Sequence, residues 1–271
     1  MTYQLGVYEK AMPDMALSQK LACAKRAGYD WMEISIDETE EKLARLDFSL
    51  DEMRALAADL KAAALPIHTM CLSGHRKYPL GGTDPRNLDI MRKAIDFAAF
   101  LQINIIQLAG YDVYYEPSGA VTVAHFEENL RKSVAYAEQK GILLAFETME
   151  TPFMNTATKA LAWVQKINSP FLRIYPDVGN ITNAGVNPVE DLRAAKGYIA
   201  AAHLKETLPG LFRDLEFGAG HVDFKAVIRE LTCQGVTMYN AEFWYDKGDG
   251  WETRLSRNRS FFDQIFEEVS R

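Results

Sequence analysis

The segment ILLAFETME (142–150), with TATKALAWVQKI (156–167) and LRIYPD (172–177) after it, decides the fold. Its first and last pieces are mostly apolar runs, the pattern of strands that are buried on both faces of a parallel sheet. The middle piece places apolar residues at helical spacing. A strand, a helix and a second strand in this order predict a parallel sheet that is covered by helices.

The same alternation continues along the whole chain and gives eight strand–helix pairs with no segment left over. In a chain of 271 residues, this repeat predicts an α/β protein with a (β/α)8 barrel, the TIM barrel, as a single domain over residues 1–271. A doubly wound open sheet is the rival, but its glycine-rich phosphate loop is missing after the first strand, where EKAMPDM (9–15) stands. The other predicted strands are 3–9, 31–37, 65–73, 103–111, 198–207 and 236–244.

Helix ends carry recognisable capping residues. Ser49 and Glu52 have the spacing of a capping box, and Gly28 and Gly141 stand where a helix would end. The predicted helices are 15–28, 49–64, 86–101, 122–141, 156–167, 187–197, 223–235 and 251–269.

Composition excludes several classes of protein. A net charge of −7 argues against a general nucleic-acid binder, which needs a basic surface to neutralise phosphates. No apolar run approaches the roughly 20 residues of a membrane span. The three cysteines form neither a CxxC pair nor a disulfide framework, so we expect a cytoplasmic protein with reduced thiols.

Acidic and imidazole side chains stand at the ends of four consecutive predicted strands. They are Glu147, Asp177, His203 and Glu242, from strands five to eight. Active sites of (β/α)8 barrels lie at this end of the strands. Burying three carboxylates together is costly unless a cation lies between them, so the set predicts one divalent metal ion: zinc, manganese or cobalt. Asp177 could instead cap a helix, but we expect Asn187, before Pro188, to take that role.

Several longer motifs resemble those of a known family. They are GVYEKA, CLSGHRKYPLG, IMRKAI, IIQLAGYDVYY, YPDVGN, HLKET, FGAGHVDF and AEFW. In these motifs, almost end to end, the chain resembles the L-ribulose-5-phosphate 3-epimerases, also called L-xylulose-5-phosphate 3-epimerases, of L-ascorbate utilisation. The resemblance implies a xylose isomerase-like TIM barrel, a sugar-phosphate substrate and the same four residues as metal ligands.

The implied reaction inverts C3 of a pentulose 5-phosphate through a cis-enediolate. Inversion requires removal of a proton from one face of C3 and its return to the other face. Glu147 and Glu242, three strands apart around the barrel, are therefore predicted to be the two acid–base catalysts.

Six further residues are predicted to bind the substrate. For the phosphate we expect basic residues away from the metal, although Arg76 could equally lie in a solvated loop and Lys205 could pair with Glu206 or Glu33. Backbone amides of the FGAG turn (217–220) are another candidate. The six residues are Lys10, His75, Arg76, Gln107, Asn180 and Lys205.

Other functions are also considered. An epimerase or isomerase of a non-phosphorylated ketose is the nearest alternative. Free-sugar 3-epimerases, however, typically carry a histidine at the position of Asn180. They also carry an arginine a few residues after the histidine of strand seven, whereas the first arginine after His203 in this chain is Arg213. A metal-dependent DNA-repair hydrolase is disfavoured by the charge and by only five histidines. A non-catalytic sensor has no need of two proton-transfer groups. A homodimer is expected, with aromatic residues such as Tyr114, Tyr115 and Trp251 near the interface.

Overall fold

Eight parallel strands form one sheet in the computed structural model, which describes residues 3–270. Each strand is short and almost wholly buried, as the apolar runs predict. The strands are β1 (Gln4–Tyr8), β2 (Trp31–Ile36), β3 (Ile67–Leu72), β4 (Ile105–Ala109), β5 (Leu143–Glu147), β6 (Leu172–Tyr175), β7 (Ala202–Leu204) and β8 (Met238–Ala241).

The sheet closes on itself. Consecutive strands are neighbours, and β1 pairs with both β2 and β8. Between β6 and β7 the pairing is reduced to two parallel bridges, Ile174 with Ile199 and Asp177 with His203. The His203 N–H donates to the Pro176 carbonyl at 2.9 Å. The predicted (β/α)8 barrel is confirmed, and the carboxyl ends of all eight strands meet at one mouth.

Helices surround the barrel and connect its strands. The eight predicted helices are present, together with two short helices that the sequence does not predict, α2 (Glu40–Ala44) and α7 (Val178–Asn183). Neither is long enough to show the apolar repeat of an amphipathic helix. The helices are α1 (Leu17–Arg26), α2 (Glu40–Ala44), α3 (Leu50–Ala63), α4 (Arg86–Leu101), α5 (Ala120–Lys140), α6 (Ala157–Ile167), α7 (Val178–Asn183), α8 (Pro188–Ala194), α9 (Phe224–Cys233) and α10 (Trp251–Ser270).

Capping interactions fix the helix ends as predicted. The Glu52 N–H donates to the Ser49 hydroxyl at 3.4 Å, and the Glu52 carboxylate accepts from the Ser49 N–H at 2.7 Å. Gly141 ends α5 with a φ of +71°, a left-handed conformation that glycine adopts without steric cost.

Among the described residues, no helix is both long and apolar enough to cross a membrane. The three cysteines are free; Cys23 and Cys71 are buried and Cys233 is exposed.

Candidate active site

Four side chains converge at the carboxyl end of the barrel. Glu147 is the last residue of β5, Asp177 follows β6 by two residues, His203 lies in β7, and Glu242 follows β8 directly. All four are buried, and each offers a ligand atom within 4.8 Å of the others. The sequence places them on four different strands, and the closed barrel brings them together.

The imidazole of His203 contacts carboxylates through both nitrogens. Its Nδ1 lies 3.0 Å from Glu147 Oε1 and 3.2 Å from Glu242 Oε2. Its Nε2 lies 2.8 Å from an oxygen of Glu33, which belongs to β2 on another side of the barrel. Nδ1 is therefore the nitrogen that faces the other ligand candidates.

Lys205 supplies a buried positive charge next to this set. Its ammonium lies 2.5 Å from Asp177 Oδ2 and 3.5 Å from Glu242 Oε2. The suggested pairings of Lys205 with Glu33 or Glu206 do not form. Glu33 contacts His203 instead, and the Glu206 carboxylate accepts backbone N–H groups of the loop after β7.

Asp177 has two roles, one for each carboxylate oxygen. Its Oδ1 accepts the N–H of Asn180 at 2.9 Å and so caps α7, while Oδ2 faces Lys205. The expectation that Asn187 would take over the cap is therefore wrong in part, because Asn187 caps α8 and Asp177 caps α7. Gly179 lets α7 approach β7, since a Cβ there would lie 2.6 Å from the Lys205 carbonyl oxygen.

Burial and neighbouring charges move the pKa values of the two glutamates in opposite directions. Burial and the charge of Glu242 raise the pKa of Glu147. Burial also acts to raise the pKa of Glu242, but the charges of Lys205 and His203 outweigh it and hold that pKa well below its usual range. Burial raises the pKa of Asp177 well above its usual value. The two glutamates therefore differ in how readily each takes up a proton.

The donor set fits a divalent cation. Three carboxylates and an imidazole nitrogen are ligands for zinc, manganese or cobalt. Burial acts to lower the pKa of His203, but the charges of Glu33 and Glu242 outweigh it and raise this pKa well above its usual range. The same negative charges that favour a proton on the imidazole also favour a metal ion beside it.

A cavity opens above these residues. Glu147 and Glu242, from the ends of β5 and β8, line it together with the positively charged side chains of Lys10, Arg76 and Lys205. A small anionic ligand in this cavity would therefore lie near positively charged side chains and near the carboxylates of Glu147 and Glu242.

Three of the six predicted substrate-binding residues, Lys10, Arg76 and Lys205, line this cavity. Lys10 pairs with Asp37 at 2.5 Å. Arg76 is partly buried, its guanidinium lies 5.0 Å from the centre of the Tyr114 ring, and its buried Nε has no hydrogen-bond partner among the described residues. Arg76 therefore does not lie in a freely solvated loop.

The other three residues, His75, Gln107 and Asn180, do not line the cavity. His75 is buried and its Nε2 contacts the carbonyl oxygen of Asn87 at 3.1 Å. The Gln107 amide donates to a carboxylate oxygen of Glu147. The Asn180 amide donates to the Thr148 carbonyl at 2.8 Å. Gln107 thus contacts a candidate catalytic group, while His75 and Asn180 hold loops in place.

Several buried residues of the site were not predicted, among them Tyr8 and Glu33. Tyr8 lines the cavity and shares a hydrogen bond with the Ser35 hydroxyl at 3.1 Å. For Glu33 the sequence suggests only a pairing with Lys205, whereas the structure places it against His203. A carboxylate inside the apolar strand WMEISI was the available signal, since a charge in a buried strand needs a partner.

Known proteins resemble this chain along most of its length. The sequence pattern of the family described as "Xylose isomerase-like TIM barrel" matches residues 21–265. The L-ribulose-5-phosphate 3-epimerase UlaE of Shigella boydii is 41% identical over 252 residues, which cover 90% of this chain and 88% of that protein. The enzyme of the same name from Salmonella heidelberg is 39% identical over 264 residues, 95% and 93% of the two chains. The chain belongs to the L-ribulose-5-phosphate 3-epimerase family.

Members of this family are isomerases, and this chain is an enzyme of that class, a carbohydrate epimerase. Solved structures support the fold. A D-tagatose 3-epimerase-like protein superposes with a TM-score of 0.81 at 18% identity, over 98% of both chains. An L-ribulose 3-epimerase superposes with a TM-score of 0.79 at 17% identity, over 100% of this chain and 96% of that one.

Proposed function

We propose that this enzyme catalyses the metal-dependent epimerisation of L-xylulose 5-phosphate and L-ribulose 5-phosphate at C3. The observation that carries the proposal is the pair of buried carboxylates, Glu147 and Glu242, that face one cavity from β5 and β8. Family membership supports the sugar phosphate as substrate, because the relatives carry that name.

Glu147, Asp177, His203 and Glu242 would hold one divalent metal ion, for which we consider zinc, manganese and cobalt. When bound, such an ion acts as a Lewis acid that stabilises the negative charge on the substrate oxygens when C3 loses its proton. Asp177 is suited to binding the metal without taking part in proton transfer. Its Oδ1 caps α7, and this hydrogen bond fixes the position of the carboxylate.

Glu147 and Glu242 would handle the C3 proton. One carboxylate removes the proton from one face of C3. The electron pair of the broken C–H bond forms the C2–C3 double bond while the π pair of the C2 carbonyl moves to its oxygen, which gives a cis-enediolate. The other, protonated carboxyl group then gives its proton to the opposite face of C3 as the C2 carbonyl re-forms. The direction of the reaction decides which glutamate is the base.

The phosphate group would be held by Arg76 and Lys10 at the cavity wall. Support comes from the Arg76 guanidinium, which is partly buried and keeps an Nε–H without a hydrogen-bond partner among the described residues. Arginine suits this role because its planar donors match phosphate oxygens.

The test is exchange of the C3 proton in deuterium oxide. The metal-loaded enzyme should incorporate one deuterium at C3 of L-xylulose 5-phosphate, lose this activity on treatment with a chelator, and regain it when the metal is restored. Free L-xylulose and L-ribulose serve as comparison substrates. Faster turnover of the free ketoses than of the phosphates would instead favour an epimerase of non-phosphorylated sugars, and exchange that persists without any metal would contradict the metal-dependent mechanism.

We also propose a homodimer. Tyr115, 69% exposed in the loop after β4, is the kind of residue that such an interface would cover. Sedimentation of the wild-type protein beside a Tyr115→Ser variant tests this, and a monomeric wild-type protein at micromolar concentration would contradict it.

A further inference from the structure

Glu33 is a buried carboxylate at the centre of the barrel. It lies in β2, and its side chain is fully inaccessible to solvent. Its Oε1 accepts from His203 Nε2 at 2.8 Å and from the Asn240 amide at 2.9 Å, and its Oε2 accepts from the Thr69 hydroxyl at 2.5 Å. These partners belong to β7, β8 and β3, so the carboxylate spans the interior of the barrel rather than facing one neighbouring strand.

The contact with Glu33 decides which nitrogen of His203 can bind a metal. Both nitrogens face carboxylates, which accept hydrogen bonds. Glu147 and Glu242, on the Nδ1 side, are themselves candidate ligands that a metal ion would engage, whereas Glu33 is not, so with a metal ion bound it is Nε2 that keeps its hydrogen. In neutral imidazole the other nitrogen, Nδ1, then keeps its lone pair. Nδ1 is the atom that lies 3.0 Å from Glu147 and 3.2 Å from Glu242, within the ligand set.

We infer that Glu33 is a positioning residue for the metal centre: it fixes the ring and the tautomer of His203 so that Nδ1 is the ligand atom. The inference rests on the proposed metal-dependent function. Carboxylates that accept the second N–H of a ligand histidine orient the ring and increase its strength as a ligand.

Tyr175 completes the arrangement around the ring. It packs edge-on against His203 with 4.7 Å between ring centres, and its hydroxyl lies 3.3 Å from Glu33 Oε2. The imidazole is therefore held by the carboxylate at one edge and by an aromatic ring beside it.

The test compares Glu33→Gln and Glu33→Leu with the wild-type protein. Glutamine keeps the shape and one acceptor oxygen but removes the charge, whereas leucine removes the acceptor as well. Zn²⁺ affinity is measured by competition with a chromophoric chelator. We expect it to fall about 10-fold in the glutamine variant and about 100-fold in the leucine variant. Asp191→Asn is the matched control, because Asp191 is a buried carboxylate that accepts the N–H of Ala157 at 2.6 Å, away from the metal ligands. Its Zn²⁺ affinity should equal that of the wild type.

A spectroscopic readout separates positioning from a general loss of stability. In ¹⁵N-histidine-labelled protein loaded with ¹¹³Cd²⁺, coupling to the metal should appear at Nδ1 of His203, with the hydrogen on Nε2. The signal is assigned by its loss in His203→Asn. In Glu33→Leu this coupling should disappear or move to Nε2.

Three outcomes overturn the inference. Metal coupling at Nε2 in the wild type would contradict the tautomer. Zn²⁺ affinity in Glu33→Gln and Glu33→Leu within twofold of the wild type would remove the role of Glu33 while leaving the metal-dependent function intact. A folded wild-type protein that binds neither Zn²⁺ nor Cd²⁺ would reject both this inference and the proposed metal site. If the leucine variant does not fold, the glutamine variant decides alone.

Discussion

Replacing Lys205 by methionine should destabilise the metal-free protein far more than the metal-loaded one. The ammonium of Lys205 is buried, 2.5 Å from Asp177 Oδ2 and 3.5 Å from Glu242 Oε2. An exposed ion pair would contribute at most about 1 kcal/mol. A buried pair that loses one partner leaves an uncompensated charge, which costs about 3–5 kcal/mol. We expect a loss of this size when a chelator is present.

With a divalent ion in place, the loss should be smaller, because the ion supplies positive charge to the same carboxylates. Urea unfolding with a chelator and with saturating Mn²⁺ measures both values. Lys42→Met is the matched control: Lys42 is also buried, 2.9 Å from Glu9, and its partner is not among the ligand candidates. Its cost should be the same in both conditions. Equal losses for the Lys205 variant with and without Mn²⁺, or a loss below about 1 kcal/mol without it, would refute the reasoning.

Three further predictions concern catalysis, phosphate recognition and pH. Glu147→Gln and Glu242→Gln should each lower kcat by about 100- to 10,000-fold; near-wild-type deuterium exchange at C3 in either metal-loaded variant would contradict the two-base scheme. Arg76→Met should raise KM for the pentulose phosphate about 10- to 100-fold, because a charge-assisted hydrogen bond to the phosphate is lost. The KM for free ketoses should not change. Lys77→Met, at the exposed neighbouring position, is the control and should leave both KM values nearly unchanged. Burial lowers the pKa of His75 from 6.5 to about 4, so between these pH values the unfolded chain binds a proton that the folded chain does not. His75 should therefore lower the free energy of unfolding by about 3 kcal/mol as the pH falls from 6.5 to 4. In urea unfolding, the free energy of His75→Gln should depend less on pH than that of the wild type. An equal dependence on pH in both proteins would contradict a buried, neutral His75.

The barrel could be predicted because its signal is local and repeated. Each strand is an apolar run, and each long helix shows the 3.6-residue repeat, so errors at single boundaries do not change the pattern. The predicted helix at 86–101 is observed as Arg86–Leu101. The short α7 was missed because the chain continues into it directly from a strand end, with only Asp177 as a start signal.

The loop after β3 shows where sequence reasoning stops. His75 and Arg76 are consecutive and both are basic, so the sequence does not indicate which of them is buried and which reaches the cavity. The chain forms a short 3-10 helix there, Ser73–Arg76, and consecutive residues of a helix point in different directions. His75 is consequently buried against Asn87, while Arg76 reaches the cavity. Which of the two faces the cavity depends on one backbone turn that no periodic pattern reveals.

Glu33 was overlooked for a different reason: its partners are far away in the sequence. His203 is 170 residues distant and Asn240 is 207 residues distant, so no local motif connects them. Residues at the carboxyl ends of the strands are the expected site residues of a barrel. Glu33 instead lies within β2 and contacts the candidate ligand His203 from inside the barrel. A buried strand can hold a carboxylate when other strands supply its donors. In this protein those donors include the histidine of the candidate metal centre, so the interior of the barrel and the site at its mouth form one hydrogen-bonded unit.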